Sequence, residues 1–330
     1  MTMSEGKSTS TPETDAEYKP MVISENMEEE LHRLGASSDM IAHLKEEDEM
    51  VHLPMPGNLD GSIRTKALRC MFSMLQANPV GKSTWFQAAL LLDRITACQS
   101  FCLEQLPLTC TCVTSLVLKC ASSAAMPLAG EDVINDFATW LDSTQNCVTA
   151  EVSNRAVSQH EKEVLEALDF RVQAPCVLQW CKPYFTRLGL LASREFQLPV
   201  QQMHGTVVMF AHAVVMCVPA SPMLSHGNLA AGLFSLSFVY SGLLPMASLM
   251  PSSMSAAEWS TLLAATPPVP PCRLPQAVTM RLMDMMCLTV MEKPDVIRAW
   301  SRHALEALSE SLQQICISQG KHRQNCVFRS

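Results

Sequence analysis

The chain has 330 residues, of which 48% are apolar and 17% charged, so it can bury more than a single small core. Its net charge of −8 comes from residues 1–56, which carry thirteen acidic and four basic residues, while the remainder is nearly neutral. Without a basic stripe, nucleic acid is not an expected partner. Neither of the glycine-rich phosphate-binding motifs, GxxxxGK[ST] or GxGxxG, occurs, which argues against the nucleotide-binding folds that they mark.

Residues 1–56 are predicted to form an acidic, largely flexible leader that contains short helices. Two segments within it have helical patterns, Ser24–Leu34 and Ser38–Glu49. Thr11 is followed by Pro12 and is a candidate phosphorylation site in this leader. We expect the leader to be dispensable for folding, because it is rich in charge and poor in apolar residues.

Beyond the leader, apolar residues recur with helical spacing and no long stretch alternates with period two, so the predicted fold class is all-α. The predicted organisation is one helical domain over residues 57–173 and a second over residues 174–330. The first set of predicted helices is Ser62–Gln76, Ser83–Gln99, Leu106–Ala124, Gly130–Asp142 and Val157–Phe170. The second set is Cys176–Leu188, Pro199–Val218, Ser225–Leu243, Ala256–Ala265, Leu274–Met291 and Pro294–Ser318.

One apolar run leaves a membrane segment open as the less favoured alternative. No Asp, Glu, Lys or Arg occurs from Phe196 to Ala257, and Asn228–Met250 is long enough to span a bilayer. Serine residues recur along the run, however, and no clear Lys or Arg flank fixes an orientation. Buried helices of the second domain are therefore the preferred interpretation, with no membrane partner.

The fourteen cysteines include no CxxC pair and no cluster with zinc-ligand spacing. They are expected to be reduced, mostly buried thiols of an intracellular protein, with a metal site as the weaker alternative. The histidines are scattered, and His160, beside Glu161, is expected to be exposed. No catalytic constellation emerges, so the sequence predicts neither an enzyme nor a cofactor nor a small-molecule substrate.

The first helical set resembles the cyclin box. The third predicted helix contains LPLTCTCVTSLVLKCASS, which is similar to the family's central L-x-L-x-G-x-A-A-x-x-x-A-S-K helix. The second contains STWFQAALLLDRI and the first SIRTKALRCMF, which are similar to the T-L-x-L-A-V-x-x-x-D-R-F and M-R-x-I-L helices. The fifth helix and its exit resemble M-E-x-x-x-L-x-x-L-x-F-x-L-x-x-P-T-P. The family positions matched in order are Arg64, Asp93, Leu108, Lys119 and Glu161.

The resemblance implies roles for these residues. Lys119, Glu161 and Leu108 would belong to the surface that binds the kinase, while Arg64 and Asp93 would form a buried structural ion pair. Lys119 is also the only charged residue from Leu106 to Gly130, and a lone ammonium must reach water or an anion. Two simpler interpretations stay open: Lys119 and Glu161 pair only with each other or face water, and Arg64 and Asp93 are independent surface charges.

The sequence also departs from the family pattern. Lys66 replaces an apolar residue and Cys70 stands where a tryptophan is usual, so the family's docking groove for Arg-x-Leu peptides is in doubt. The second domain resembles a second cyclin fold only by helix number, apolarity and place. The chain therefore resembles a divergent cyclin.

The resemblance implies a regulatory subunit that binds and activates a cyclin-dependent protein kinase in cell-cycle or related control. A nuclear or cytoplasmic location, or both, is expected. The alternative is a cyclin-fold interaction scaffold of the transcription or meiotic type that activates no kinase. A membrane-anchored helical protein is the third interpretation.

Overall fold

A computed structural model describes residues 21–51, 59–76, 83–98, 101–121, 131–192, 197–219 and 224–327. Over these ranges the secondary structure is helical, with thirteen α-helices and no β-strand. This confirms the all-α prediction. The candidate phosphorylation site Thr11 lies outside the described residues.

Two short helices precede the main body, α1 (Glu25–Arg33) and α2 (Ser38–Met50). Ser24 and Ser37 cap them, each accepting a hydrogen bond from the backbone N–H three residues later. Gly35, at φ +68°, lies in the left-handed region just after α1, where a side chain would be strained.

The two leader helices pack against the second helical set. Leu31 and Ile41 are fully buried, α1 contacts α8, and α2 contacts α10. The buried guanidinium of Arg187 on α8 donates to the carbonyl of Ala36 between them, at 3.1 Å. The two short helices expected within the leader are therefore present, and apolar residues on each of them pack against the second helical set.

The first set contains five helices, and its central helix is α5. The thirteen residues from Leu106 to Leu118 are all buried, since α5 is surrounded by α3, α4, α6 and α7. The bounds are α3 (Gly61–Gln76), α4 (Ser83–Thr96), α5 (Leu106–Ala121), α6 (Glu131–Gln145) and α7 (Asn154–Ala167).

The second set is built around α10, which contacts α8, α9 and α13. Ser235 and Ser237 are accommodated in this buried helix because their hydroxyls donate to the carbonyls of Ala231 and Phe234. The bounds are α8 (Val177–Leu191), α9 (Gln197–Cys217), α10 (His226–Tyr240), α11 (Ala256–Ala264), α12 (Gln276–Val290) and α13 (Pro294–Val327).

The two sets pack directly on each other. Helix α3 contacts α9, and α4 contacts both α8 and α9, so that one continuous apolar core runs through both sets. The chain passes from the first set to the second between α7 and α8.

The apolar run Asn228–Met250 is divided between α10 and a short 3₁₀ helix, Met246–Leu249. In the part of the chain described above, no helix is both long enough and apolar enough to cross a membrane.

Candidate functional site

Arg64 on α3 and Asp93 on α4 form a buried ion pair. The guanidinium donates from Nε to Oδ1 at 2.6 Å and from a terminal nitrogen to Oδ2 at 2.8 Å. The side chains are 4% and 3% exposed, so both charges are desolvated and depend on each other. The pair fixes how α3 and α4 meet.

The same guanidinium also reaches the second helical set. It donates to the carbonyls of Val215, at 2.9 Å, and Met216, at 3.2 Å, in the last turn of α9. Carbonyls in the last turn of a helix lack intrahelical partners and favour a cation. Arg64 therefore joins the two sets, a contact that the sequence pattern does not reveal.

Lys119, in the last turn of α5, forms a two-pronged ion pair with Glu161 in the middle of α7. The ammonium lies 2.6 Å from Oε1 and 2.8 Å from Oε2, and the Ser115 hydroxyl also donates to Oε1 at 2.8 Å. The Lys119 side chain is 56% exposed and that of Glu161 only 16% exposed. The two charges therefore lie in direct contact in the free chain.

Leu108 is separated from this ion pair by most of α5. Eleven residues of helix correspond to about 16 Å along the axis. Its side chain is 6% exposed and belongs to the apolar core of the first set. In the free chain Leu108 is therefore not available at the surface for contact with a partner.

Phe170 is an exposed aromatic residue that the sequence reasoning treated only as a helix end. It lies in the turn after α7, is 67% exposed and adopts φ +56°. Its N–H donates to the carbonyl of Leu165 at 2.8 Å, and Arg94 donates to the carbonyls of Leu168 and Arg171 on either side. The turn is thus held firmly while its largest apolar side chain faces solvent.

Lys66 and Cys70, the two α3 residues that depart from the family pattern, lie in different environments. Lys66 is exposed, and its ammonium lies 5.6 Å from the centre of the Trp140 ring, a cation–π contact. Cys70 is buried and contributes nothing to the surface. A charged side chain therefore covers the aromatic surface at this position.

His160 is buried, and its predicted exposure is wrong. Its Nε2 lies 3.0 Å from the Thr109 hydroxyl and its Nδ1 lies 2.7 Å from a Glu163 carboxylate oxygen. Because α7 packs on α5, the side of α7 that carries His160 faces inward, and sequence adjacency to Glu161 gave no sign of this.

The twelve cysteines whose side chains the structure describes are free thiols, and they divide by burial. Five are buried, and burial raises the pKa of Cys70 and Cys112 to about 12 and that of Cys176 to about 11. The other seven are half-buried or exposed, more than the apolar helical runs suggested. In the described ranges no three His, Cys, Asp or Glu side chains converge as a metal site would require.

A scan of the chain against protein-family models gives no match, and no curated protein is significantly similar to it. Any conclusion about function therefore rests on the residues of the chain and their geometry.

Proposed function

We propose that the chain is a cyclin-like regulatory subunit that binds and activates a cyclin-dependent protein kinase. The observation that carries the proposal is the Lys119–Glu161 ion pair, which combines an exposed ammonium with a carboxylate fixed by Ser115 at the surface of α5 and α7. These two residues match the family's kinase-binding positions in the cyclin-box resemblance.

The pair can bind backbone groups of a partner without coming apart. A lysine ammonium has three N–H donors and two are directed at Glu161, so the third has no partner among the described residues. The carboxylate accepts three hydrogen bonds and retains lone-pair capacity. A surface that offers one donor and one acceptor side by side suits the backbone carbonyls and N–H groups near the end of a partner helix.

Phe170 adds an apolar contact to this surface in the proposal. It follows Glu161 by nine residues on the same helix–turn unit, and its exposure supplies an aromatic side chain that a partner could bury. Aromatic anchors of this kind contribute strongly to interfaces. The turn under it, which Arg94 holds, and the helix packing fixed by Arg64 and Asp93 would let the chain hold a kinase helix in its active position.

In this proposal the chain positions a helix of the kinase, and the kinase carries out the phosphoryl transfer. Moving the kinase's regulatory helix inward places its Glu–Lys pair and activation loop for phosphoryl transfer. ATP and magnesium would belong to the kinase.

The test is recovery and activation of a kinase by the full-length chain. Lys119→Ala with Glu161→Ala should reduce binding about thirty-fold or more, since truncating desolvated charged anchors costs about 2–5 kcal/mol. Lys162→Ala with Glu166→Ala is the matched control: the two side chains form an exposed ion pair on α7 and are 79% and 56% exposed. Equal kinase recovery and equal stimulation by both double variants would refute the docking role.

A scaffold that binds partners without activating a kinase is the second candidate. It is favoured by the same contact, because Lys119 and Glu161 already satisfy much of each other's hydrogen-bonding capacity in the free chain. Recovery of a partner that loses binding in the double variant but shows no stimulated phosphorylation would support this alternative.

A further inference from the structure

A cleft of about 450 Å³ lies where the leader helix α2 meets α8, α10 and the start of α13. Sites for small molecules commonly have volumes of about 300–1,000 Å³. Neither the Lys119–Glu161 pair nor Phe170 lines it, so this cleft is separate from the proposed kinase-binding surface.

Aromatic rings form part of the cleft wall. Trp180 and Tyr184 come from successive turns of α8, with ring centres 6.0 Å apart, and Trp300 comes from α13. The first two side chains are 2% exposed, so packing fixes their orientation, while Trp300 is partly exposed. Aromatic ring faces attract cations, and tryptophan does so most strongly.

Carboxylates lie beside these rings. Asp48 and Glu49 come from α2, and Glu292 comes from the short link between α12 and α13. Lys45 is the basic residue among those that line the cleft, and its ammonium is already bound to Glu292 at 2.5 Å. Negative charge therefore remains in excess.

Asp48 is a largely buried carboxylate of the cleft. Its carboxylate accepts hydrogen bonds from the Ser225 hydroxyl, at 2.8 Å, and from the backbone of Gly227. Burial nevertheless raises the pKa of Asp48, and the nearby charge of Glu49 acts in the same direction. A cation in the cleft would offset the desolvation of Asp48.

Trp180, a residue of the cleft wall, also carries a hydrogen-bond donor. Its Nε1–H is buried and has no acceptor within the described part of the chain. A buried N–H without an acceptor destabilises the protein by about 1–3 kcal/mol. An acceptor atom on a ligand would remove this cost. The cleft thus combines sites for a positive charge with an unused donor.

We propose that this cleft binds a small organic cation, a guanidinium or alkylammonium group, that carries a hydrogen-bond acceptor a few bonds away. The cation lies between the aromatic rings and the carboxylates, and the acceptor receives the Trp180 Nε1–H. An arginine residue of a peptide and free arginine both have this chemistry. The proposal is independent of kinase binding.

The test uses the full-length chain, with N-acetylarginine amide and free arginine as probes of the two sources. Calorimetry should show saturable binding of at least one of them, and the tighter one identifies the source. N-acetylcitrulline amide has the same shape without the charge and should bind about tenfold more weakly. The indole N–H signal of Trp180, identified through Trp180→Phe, should move in the nitrogen–proton NMR spectrum when the cation binds.

Two charge variants separate a local site from general attraction. Glu49→Gln should weaken binding about threefold. Glu310 is exposed on α13 and lies outside the cleft, so Glu310→Gln changes the net charge by the same amount and should leave binding unchanged. Equal effects of the two variants would overturn the proposal. So would equal binding of the arginine and citrulline amides, or no saturation up to about 20 mM.

Discussion

The guanidinium of Arg64 holds the carboxylate of Asp93 through two hydrogen bonds of 2.6 and 2.8 Å. It then extends past that pair to two carbonyls of α9, so a single side chain ties together α3, α4 and the second helical set. The ion pair is therefore part of the contact between the sets as well as of the packing within the first.

Removing Asp93 should destabilise the chain strongly. Asp93→Ala leaves the Arg64 guanidinium buried without its counter-charge, which typically costs about 3–5 kcal/mol. Unfolding in urea, followed by circular dichroism, measures the change. Glu166→Ala removes an exposed partner and should cost less than about 1 kcal/mol. A loss for Asp93→Ala no larger than for Glu166→Ala would show that the pair contributes little to the fold.

Residues 64 and 93 could be predicted from the sequence as a pair, but the carbonyls of Val215 and Met216 could not. Arg64 and Asp93 belong to a side-chain pattern that can be compared with a family. Every residue has a backbone carbonyl, so no residue type in the sequence marks the two carbonyls that Arg64 contacts. Contacts between helix ends and distant side chains depend on tertiary packing, which helical periodicity does not encode.

The packing of α1 and α2 predicts that the leader stabilises the fold. A chain that begins at Gly57 lacks Leu31 and Ile41, and the burial of each side chain stabilises the fold by about 1.5–3 kcal/mol. It also lacks the Asp48 carboxylate, which accepts a hydrogen bond from Ser225 at the start of α10. Its melting temperature should fall by several degrees relative to a chain that begins at Met21. Equal melting temperatures would instead support the expectation that residues 21–56 are dispensable for folding.

The composition of the leader does not show how its two helices are held in place. Charged residues dominate both helices, and each buries a single apolar residue, Leu31 or Ile41, completely. Whether so few contacts hold a helix depends on the surface that receives them. That surface lies on α8 and α10, far along the chain.

Gly232 allows α10 and α13 to approach closely. A Cβ at this position would lie 2.5 Å from the backbone oxygen of Trp300 and 2.7 Å from the Cβ of Ala304, neither of which can move cheaply. Gly232→Ala should therefore cost about 1–3 kcal/mol in urea unfolding.

Gly189→Ala provides the control for this glycine. A Cβ there would have no neighbour within 4 Å, so the variant should be neutral or gain up to about 1 kcal/mol from helix propensity. If the two alanine variants have the same stability, the approach of α10 to α13 is looser than the structure describes.

Periodicity predicted the helices, and the family resemblance singled out the charged residues of the candidate site, but neither predicted which side of α7 is buried. His160 and Glu161 are neighbours in sequence, yet His160 is buried against Thr109 while Glu161 pairs with Lys119 at the surface. Successive residues of a helix point about 100° apart, so a helix packed on one side separates them. Which side is packed depends on α5.

His226 should make the stability of the chain depend on pH. Its imidazole is buried at the start of α10, and burial lowers its pKa to about 4, with Asp93 opposing and Arg64 reinforcing this effect. In the unfolded chain the pKa is about 6.5, so the unfolded state binds more protons between these values. The stability that depends on neutral His226 is therefore fully present above pH 6.5 and is lost as the pH falls towards 4. From pH 7.5 to 5.0 the loss should be about 2 kcal/mol.

His226→Phe keeps a ring without the titration, so the variant should lose about 2 kcal/mol less than the wild type over this interval in urea unfolding. Parallel pH profiles for the two proteins would show that the folded chain accommodates a charged His226.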